Sequence, residues 1–171
     1  MAPEHLKHRL AQSALERTVL AIDPTCLVAV PTALALVSLG GGIYEHIAVD
    51  PFWPSRPELV QPLRGGITRR RFWIPAHASF ELSLLTALFS TWSLSASRTW
   101  LLVALASHAI QRIWSALHFI PSALAFENTD PVTLSENAAR KWTRQSLWRL
   151  PFGLTACSAM LFALASASRG A

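Results

Sequence analysis

The sequence is short of charge. Only 15% of its 171 residues are Asp, Glu, Lys or Arg, against 51% that are apolar. A soluble domain carries about 25% charged residues, so the composition argues against a water-exposed globule and for a membrane protein with short polar connections. Mean hydropathy, at +0.33, points the same way. Cysteine is also scarce. Cys26 and Cys157 both fall inside apolar runs, with no CxxC and no Cys/His metal pattern, which excludes a disulfide framework and a zinc module and leaves both as small packing residues. No repeat or low-complexity tract is present, and no nucleic-acid-binding motif accompanies the net charge of +5. The basic residues sit between apolar runs, where they serve as topology signals facing anionic lipid, so no nucleic-acid partner is expected.

What is present is a set of apolar segments. Four are marked, at 25–49, 72–94, 99–123 and 147–167, each near the roughly 20 residues that cross a bilayer as a helix. The expected fold is all-α, a four-transmembrane-helix bundle forming a single membrane domain, with the bilayer as its principal partner and room for a homo-oligomer. Asp23-Pro24 opens the first span with an N-cap and a proline at the first helical position. Trp92 and Trp100 bracket one turn, and Phe52, Trp53, Phe72, Trp73, Trp142 and Trp148 gather at the opposite face, as interfacial aromatic belts do. Residues 4–22 alternate apolar and charged positions in the manner of an interfacial helix rather than a cleaved signal peptide. The proline-rich connection from Asp50 to Arg71 is expected to be an ordered loop packed over one end of the bundle. In the second long connection, Thr133-x-x-Glu136 has a capping-box spacing and predicts a helix from about Leu134.

Ionisable groups inside a bilayer cost several kcal/mol unless they pair or meet water. At 1.5 Å per helical residue, Glu45 and His46 lie about 5 Å, His77 about 7 Å, His118 about 8 Å, Glu81 about 13 Å, Arg112 about 16 Å and His108 about 22 Å from the face bearing the long loops. Every span contributes, and nearly all of these groups fall in one half of the membrane. His77 and Glu81 share a helix face, as do His108, Arg112 and Ser115, with Gln111 and His118 on a neighbouring face. Turned inward, these faces make a polar pocket. Gly40-Gly41-Gly42, then Tyr44, Glu45 and His46, form one wall of its mouth, where small residues admit close approach. Interhelical hydrogen bonding is the plainer use for any single residue of this set, and Arg149 reads as an interfacial anchor.

The residue types suit general acid–base work on a greasy molecule. Glu81 or His77 is the candidate base. Arg112 and His108 are candidates for stabilising developing negative charge, and Glu45, His46, His118, Trp114 and Tyr44 for binding the substrate. A His/carboxylate metal site and a haem held by His77 and His118 are alternatives, but no HxxHH or ExxH motif is present, so no metal ligand and no cofactor is assigned.

In size, in its four spans and in its inward mixture of His, Arg and Trp residues, the chain resembles the small integral membrane proteins grouped with anthrone oxygenases (the DUF1772-type families). Some of those proteins oxidise polycyclic phenolic intermediates. The resemblance is architectural and carries over no individual residue. His77-x3-Glu81 is similar to a motif of the sterol-isomerase-like EXPERA proteins, where acidic groups in a helical bundle stabilise a carbocation. The resemblances imply oxidation or isomerisation of a small lipophilic substrate. The other class is a non-enzymatic carrier, lipophile-binding protein or complex subunit.

Orientation follows from the cations. Lys7, Arg9, Arg17, Arg98 and Arg169 lie on the side of the termini, while Arg56, Arg64, Arg69, Arg70, Arg71, Arg140, Lys141 and Arg144 lie on the side of the long loops. The positive-inside rule therefore predicts a cell-membrane protein with cytoplasmic loops and external termini. An alkaline phosphatase fused after residue 169 is expected to be active and one inserted at residue 64 inactive. The reverse pattern contradicts this topology.

Overall fold

The computed structural model describes residues 23–170. The interfacial helix expected over 4–22 lies outside them. The described chain is helical throughout. α1 spans Pro24–Tyr44, α2 Arg70–Ser90, α3 Ser95–Trp114, α4 Ile120–Asn128, α5 Glu136–Ser146 and α6 Leu150–Gly170. Three stretches, Pro24–Val49, Arg70–Ser90 and Glu136–Arg169, are long and apolar enough to cross a membrane. The fourth, 95–128, is long but carries His108, Gln111, Arg112 and His118.

Local chemistry explains the ends. Asp23 accepts from the Thr25 amide at 2.8 Å, with Pro24 at the first helical position, the cap expected from the sequence. α5 starts later than the capping-box spacing implies. Ser135 is its N-cap and accepts from the Ala138 amide at 3.3 Å, while the Thr133 hydroxyl bonds back to the Asp130 carbonyl. Glu136 then pairs with Arg140 one turn on, at 2.8 Å, instead of reaching back to a cap. α2 ends at Ser90, four residues before the apolar run does, because Thr91–Leu94 close a turn through the Leu94 amide and the Thr91 carbonyl.

Two helices widen before they end. Glu45–Val49 and Ser115–Phe119 are π turns, closed by the Asp50 amide on the Glu45 carbonyl and the Ile120 amide on the Ser115 carbonyl. Each closing residue is followed by proline, Pro51 and Pro121. Proline offers no N–H to the carbonyl four residues back, and the widened turn leaves that carbonyl out of the ladder. Such turns re-aim side chains and recur at functional sites.

α6 is the axis of the bundle. It packs extensively on α1 and α3, and α1 packs on α2. Its buried face is mostly small, Ala156, Cys157, Ala159, Ala163 and Ala167, with Met160 among them. Hydroxyls on the neighbours reach its backbone, Thr32 to the Met160 carbonyl at 3.3 Å, Ser97 to Ala163 at 3.2 Å and Ser107 to Phe152 at 2.9 Å. Close approach through small residues, tied by polar bonds, is how helices associate where lipid supplies no hydrophobic drive. Many larger apolar side chains point outward: Ile47, Leu82, Phe89, Ile113 and Leu117 are each 60–77% exposed, as a lipid-facing surface requires.

A second apolar cluster lies at the loop end. The 50–69 connection is ordered, as expected, through short 3₁₀ turns at Trp53–Ser55, Pro57–Val60 and Pro62–Arg64. Trp53 and Val60 pack with Phe119, Ala139 and Trp142 beneath it. Trp53 and Trp142 are thus buried in a cap and do not belong to the lipid-facing belt to which the sequence assigned them. The belt keeps Phe52, Phe72, Trp92, Trp100 and Trp148, all exposed. Gly66 is indispensable to the cap, since a Cβ there would lie 2.1 Å from the Glu58 carbonyl oxygen. Gly40 has nothing within 4 Å of its would-be Cβ. Gly40→Ala is therefore expected to stabilise the protein by up to about 1 kcal/mol through helix preference. Gly66→Ala is expected to lower the melting temperature, and equal melting of the two variants contradicts this assignment.

Candidate functional site

The arrangement of helices leaves one side of the bundle open. α2 and α3 are neighbours yet touch only sparsely, and between them the interior holds a cavity of about 360 Å³. Its walls combine Gly42, Glu45 and His46 from α1 and its π turn, Arg69, Arg70, Trp73 and His77 from α2 and its approach, and His108, Gln111 and Arg112 from α3. Ile120, Leu124 and Glu127 come from α4, and Arg149, Gly153 and Ala156 from α6 and the turn before it. Ile74, Ile120 and Leu124 line it and are also 63%, 41% and 37% exposed, so the cavity reaches the lipid-facing surface through the α2–α3/α4 seam.

The upper level is cationic. The π turn after Tyr44 turns Glu45 and His46 inward while Ile43 and Ile47 remain exposed. Glu45 accepts from Arg69 Nη1 at 3.2 Å and from Trp73 Nε1 at 3.1 Å. His46 donates to Asp50 Oδ2 at 2.6 Å, and Asp50 Oδ1 accepts from Trp53 Nε1 at 3.0 Å, which fastens the cap to the end of α1. Arg70 reaches Glu127 at 3.0 Å across the top of the seam. Arg149 lies 4.5 Å from the Phe119 ring centroid, donates to the Ser146 carbonyl at 3.3 Å and contacts Ser115 Oγ at 3.4 Å. It is part of the cavity wall rather than the headgroup anchor expected of it.

The lower level holds the histidines. Glu81 Oε1 accepts from His108 Nε2 and from Arg112 Nε, both at 3.1 Å, so one carboxylate on α2 holds two groups on α3. His77 stacks on Trp73 at 5.2 Å between centroids and lies 5.6 Å from the His108 ring, which meets Phe80 edge-on at 4.8 Å. His77 Nδ1 is buried without a hydrogen-bond partner, and so are Ser38 Oγ and Arg69 Nη2. All three belong to residues of the cavity wall, where buried polar atoms without partners are uncommon and call for an explanation.

Of the candidates read from the sequence, the structure brings His77, His108, Arg112, Glu45 and His46 to one cavity, and Glu81 closes its seam without lining it. Three lie elsewhere. Tyr44 is 67% exposed on the outer face of α1. Trp114 packs against Phe119 and Phe152, off the cavity wall. His118 is exposed, with its ring on Phe119 and Nε2 3.5 Å from Gln145. The seven-residue spacing that put Gln111 and His118 on one face assumes an unbroken α-helix. The π turn at Ser115–Phe119 adds a residue to the turn, so Phe119 takes the inward position. His118 accordingly does not face His77 across the cavity, and the haem pair envisaged from those two histidines is not formed. Among the described residues no group of three His, Cys, Asp or Glu side chains is placed to hold a metal ion.

Fold and site together define the class: a helical membrane protein with an amphipathic cavity inside its bundle that reaches the surface between α2 and α3/α4. No family model, curated protein or solved structure matches the chain.

The Glu81 link yields a direct expectation. Glu81→Ala and Arg112→Ala should each destabilise the protein, and the double variant should be less damaged than the two losses added, with a coupling of about 1 kcal/mol. Tyr44→Phe and His118→Asn should leave stability unchanged. Strictly additive losses at 81 and 112, read by thermal unfolding in detergent, contradict the bridge.

Proposed function

We propose that this protein binds a small lipophilic molecule that arrives from the bilayer through the α2–α3/α4 seam, and that His77 moves a proton on it, as in a double-bond or keto–enol isomerisation. The observation that supports this reading most is the buried, unpartnered Nδ1 of His77 on the wall of a cavity that opens toward lipid. A nitrogen so placed has its lone pair or proton available to whatever occupies the space, and a base must lie within hydrogen-bond reach of the proton it takes.

The step balances within the substrate. A C–H bond beside an unsaturated group breaks and its proton passes to His77 Nδ1. The electron pair shifts across the adjacent double bond, and the proton returns at the far carbon. Trp73 stacked on the imidazole holds the ring's orientation. Negative charge that develops meets the Nη donors of Arg112, whose Nε is held by Glu81, which is preorganised electrostatic stabilisation in a water-poor site. Proton transfer is chemistry these side chains perform unaided, whereas the oxidation considered from the sequence adds an electron acceptor.

A non-enzymatic lipophile-binding protein has one observation in its favour: Glu81, Arg112 and His108 are already satisfied by one another, as structural links between helices are. Isotope exchange separates the two. Purified protein incubated in D2O with a lipid extract of its host membranes is expected to place deuterium on carbon in a discrete lipophilic species, read by mass spectrometry. His77→Gln is expected to abolish the incorporation while retaining the wild-type melting temperature. Equal incorporation by the two proteins, or none by the wild type, overturns the proton-transfer step.

A further inference from the structure

The charged groups on the cavity wall do not all pair in contact. Three of its four arginines have carboxylate partners: Arg69 with Glu45 at 3.2 Å, Arg70 with Glu127 at 3.0 Å and Arg112 with Glu81 at 3.1 Å. The remaining acid near the top, Asp50, is occupied by His46 and Trp53. Arg149 has no carboxylate within 4.0 Å among the described residues. Its two hydrogen bonds go to neutral oxygens and leave the rest of its five N–H donors unengaged. The neighbouring guanidinium adds another unmet donor: Arg69 Nη2 is buried and bonds to nothing, on a side chain only 11% exposed. Trp142 ties the two together, its ring lying 5.6 Å from the Arg69 and 6.0 Å from the Arg149 guanidinium carbon. A half-buried cation with Glu45 and Asp50 nearby but no carboxylate in contact is costly to hold, and donors without partners mark what is missing as an acceptor.

Below this level the wall becomes apolar, with Ala35, Leu39, Phe80, Ala156 and Cys157. The cavity is therefore amphipathic along its length, cationic under the cap and greasy toward the bundle centre. We infer that its ligand is an anionic amphiphile, with a carboxylate or phosphate head held by Arg149 and the free donor of Arg69 beneath Trp142, and an apolar tail directed toward Phe80 and Cys157. This rests on the binding reading above and names the substrate class. It also fixes a distance. Arg69, at the N-cap of α2, and His77 are eight residues apart, roughly 12 Å along the helix, so the reactive carbons lie several bonds from the acidic head.

The test uses four probes on the purified full-length chain in non-ionic detergent, with binding read by native mass spectrometry: laurate, dodecyl phosphate, dodecanol and inorganic phosphate. Laurate, dodecyl phosphate or both are expected to bind at least about tenfold more tightly than dodecanol, the difference expected of hydrogen bonds to a charged group. Inorganic phosphate is expected to bind far more weakly than either acid. Arg149→Gln should remove the preference for the acids while leaving dodecanol binding intact, which shows that the cavity is still folded, and Arg149→Lys should restore part of it. Equal binding of dodecanol and the acids in the wild type, or an acid preference that survives Arg149→Gln, overturns the anionic head while leaving the lipophile-binding reading standing. Inorganic phosphate binding as tightly as dodecyl phosphate overturns the tail. If no chain-bearing probe binds the wild type better than Gly42→Leu, which fills the cavity beside Trp73 and Leu150, the inference and the binding reading fail together.

Discussion

Glu81 joins two helices that otherwise hardly meet. The α2–α3 side of the bundle lacks the small-residue packing that binds α1 and α3 to α6, and its interior is space rather than side chain. One carboxylate oxygen crosses that gap to hold His108 and Arg112 at 3.1 Å each. Nearer the loops Arg70 and Glu127 do the same. These two links bound the seam, keep it from collapsing and keep it narrow. In water, an ion pair as exposed as Glu81–Arg112 would contribute little. Beside lipid, each partner alone would be a charge facing hydrocarbon, so the pair is held together by the cost of separating it.

The cap depends on a comparable device. Asp50 ends α1, accepts from Trp53 and from His46, and so fixes the loop to the wall of the cavity. Trp53, Phe119 and Trp142 fill the space above, and the Arg69 and Arg149 guanidinium groups lie against the Trp142 ring. Membrane helices, seam and cap thus enclose one amphipathic space from three sides and leave the fourth toward lipid. The proposed function rests on that asymmetry: a molecule of the bilayer would reach the cavity without crossing water and meet polar groups only once inside.

Much of this was legible in the sequence. Apolar length marked the spans, Asp23-Pro24 marked the first helix start, and the shared helix faces of His77 with Glu81 and of His108 with Arg112 pointed to a shared interior. Counting by 3.6 residues failed where the helix was not α. The π turns at Glu45–Val49 and Ser115–Phe119 rotate the side chains on their C-terminal side, which is why His118 gave way to Phe119. The prolines at 51 and 121 were the available signal. Trp53, Trp142 and Arg149 were misplaced for another reason. Composition near a membrane edge reads the same whether a side chain faces headgroups or folds under a loop, and only the tertiary path of residues 50–69 decides between them. The partners Arg69, Arg70 and Glu127 were hidden likewise, because the arginines doubled as topology signals.

The central claim is that the arginine and imidazole groups line one internal cavity rather than the outer surface of the bundle, and Gly40 and Gly42 test it most directly. The two lie two residues apart on α1. Gly42 lines the cavity, and Gly40 is exposed with nothing within 4 Å of its would-be Cβ. With Cys26 and Cys157 replaced by serine, a nitroxide attached at Gly42→Cys is expected to be immobilised and shielded from lipid-dissolved oxygen in intact bilayers, and one at Gly40→Cys to be mobile and oxygen-accessible. Equal mobility and oxygen access at the two positions, or greater shielding at residue 40, would contradict the account.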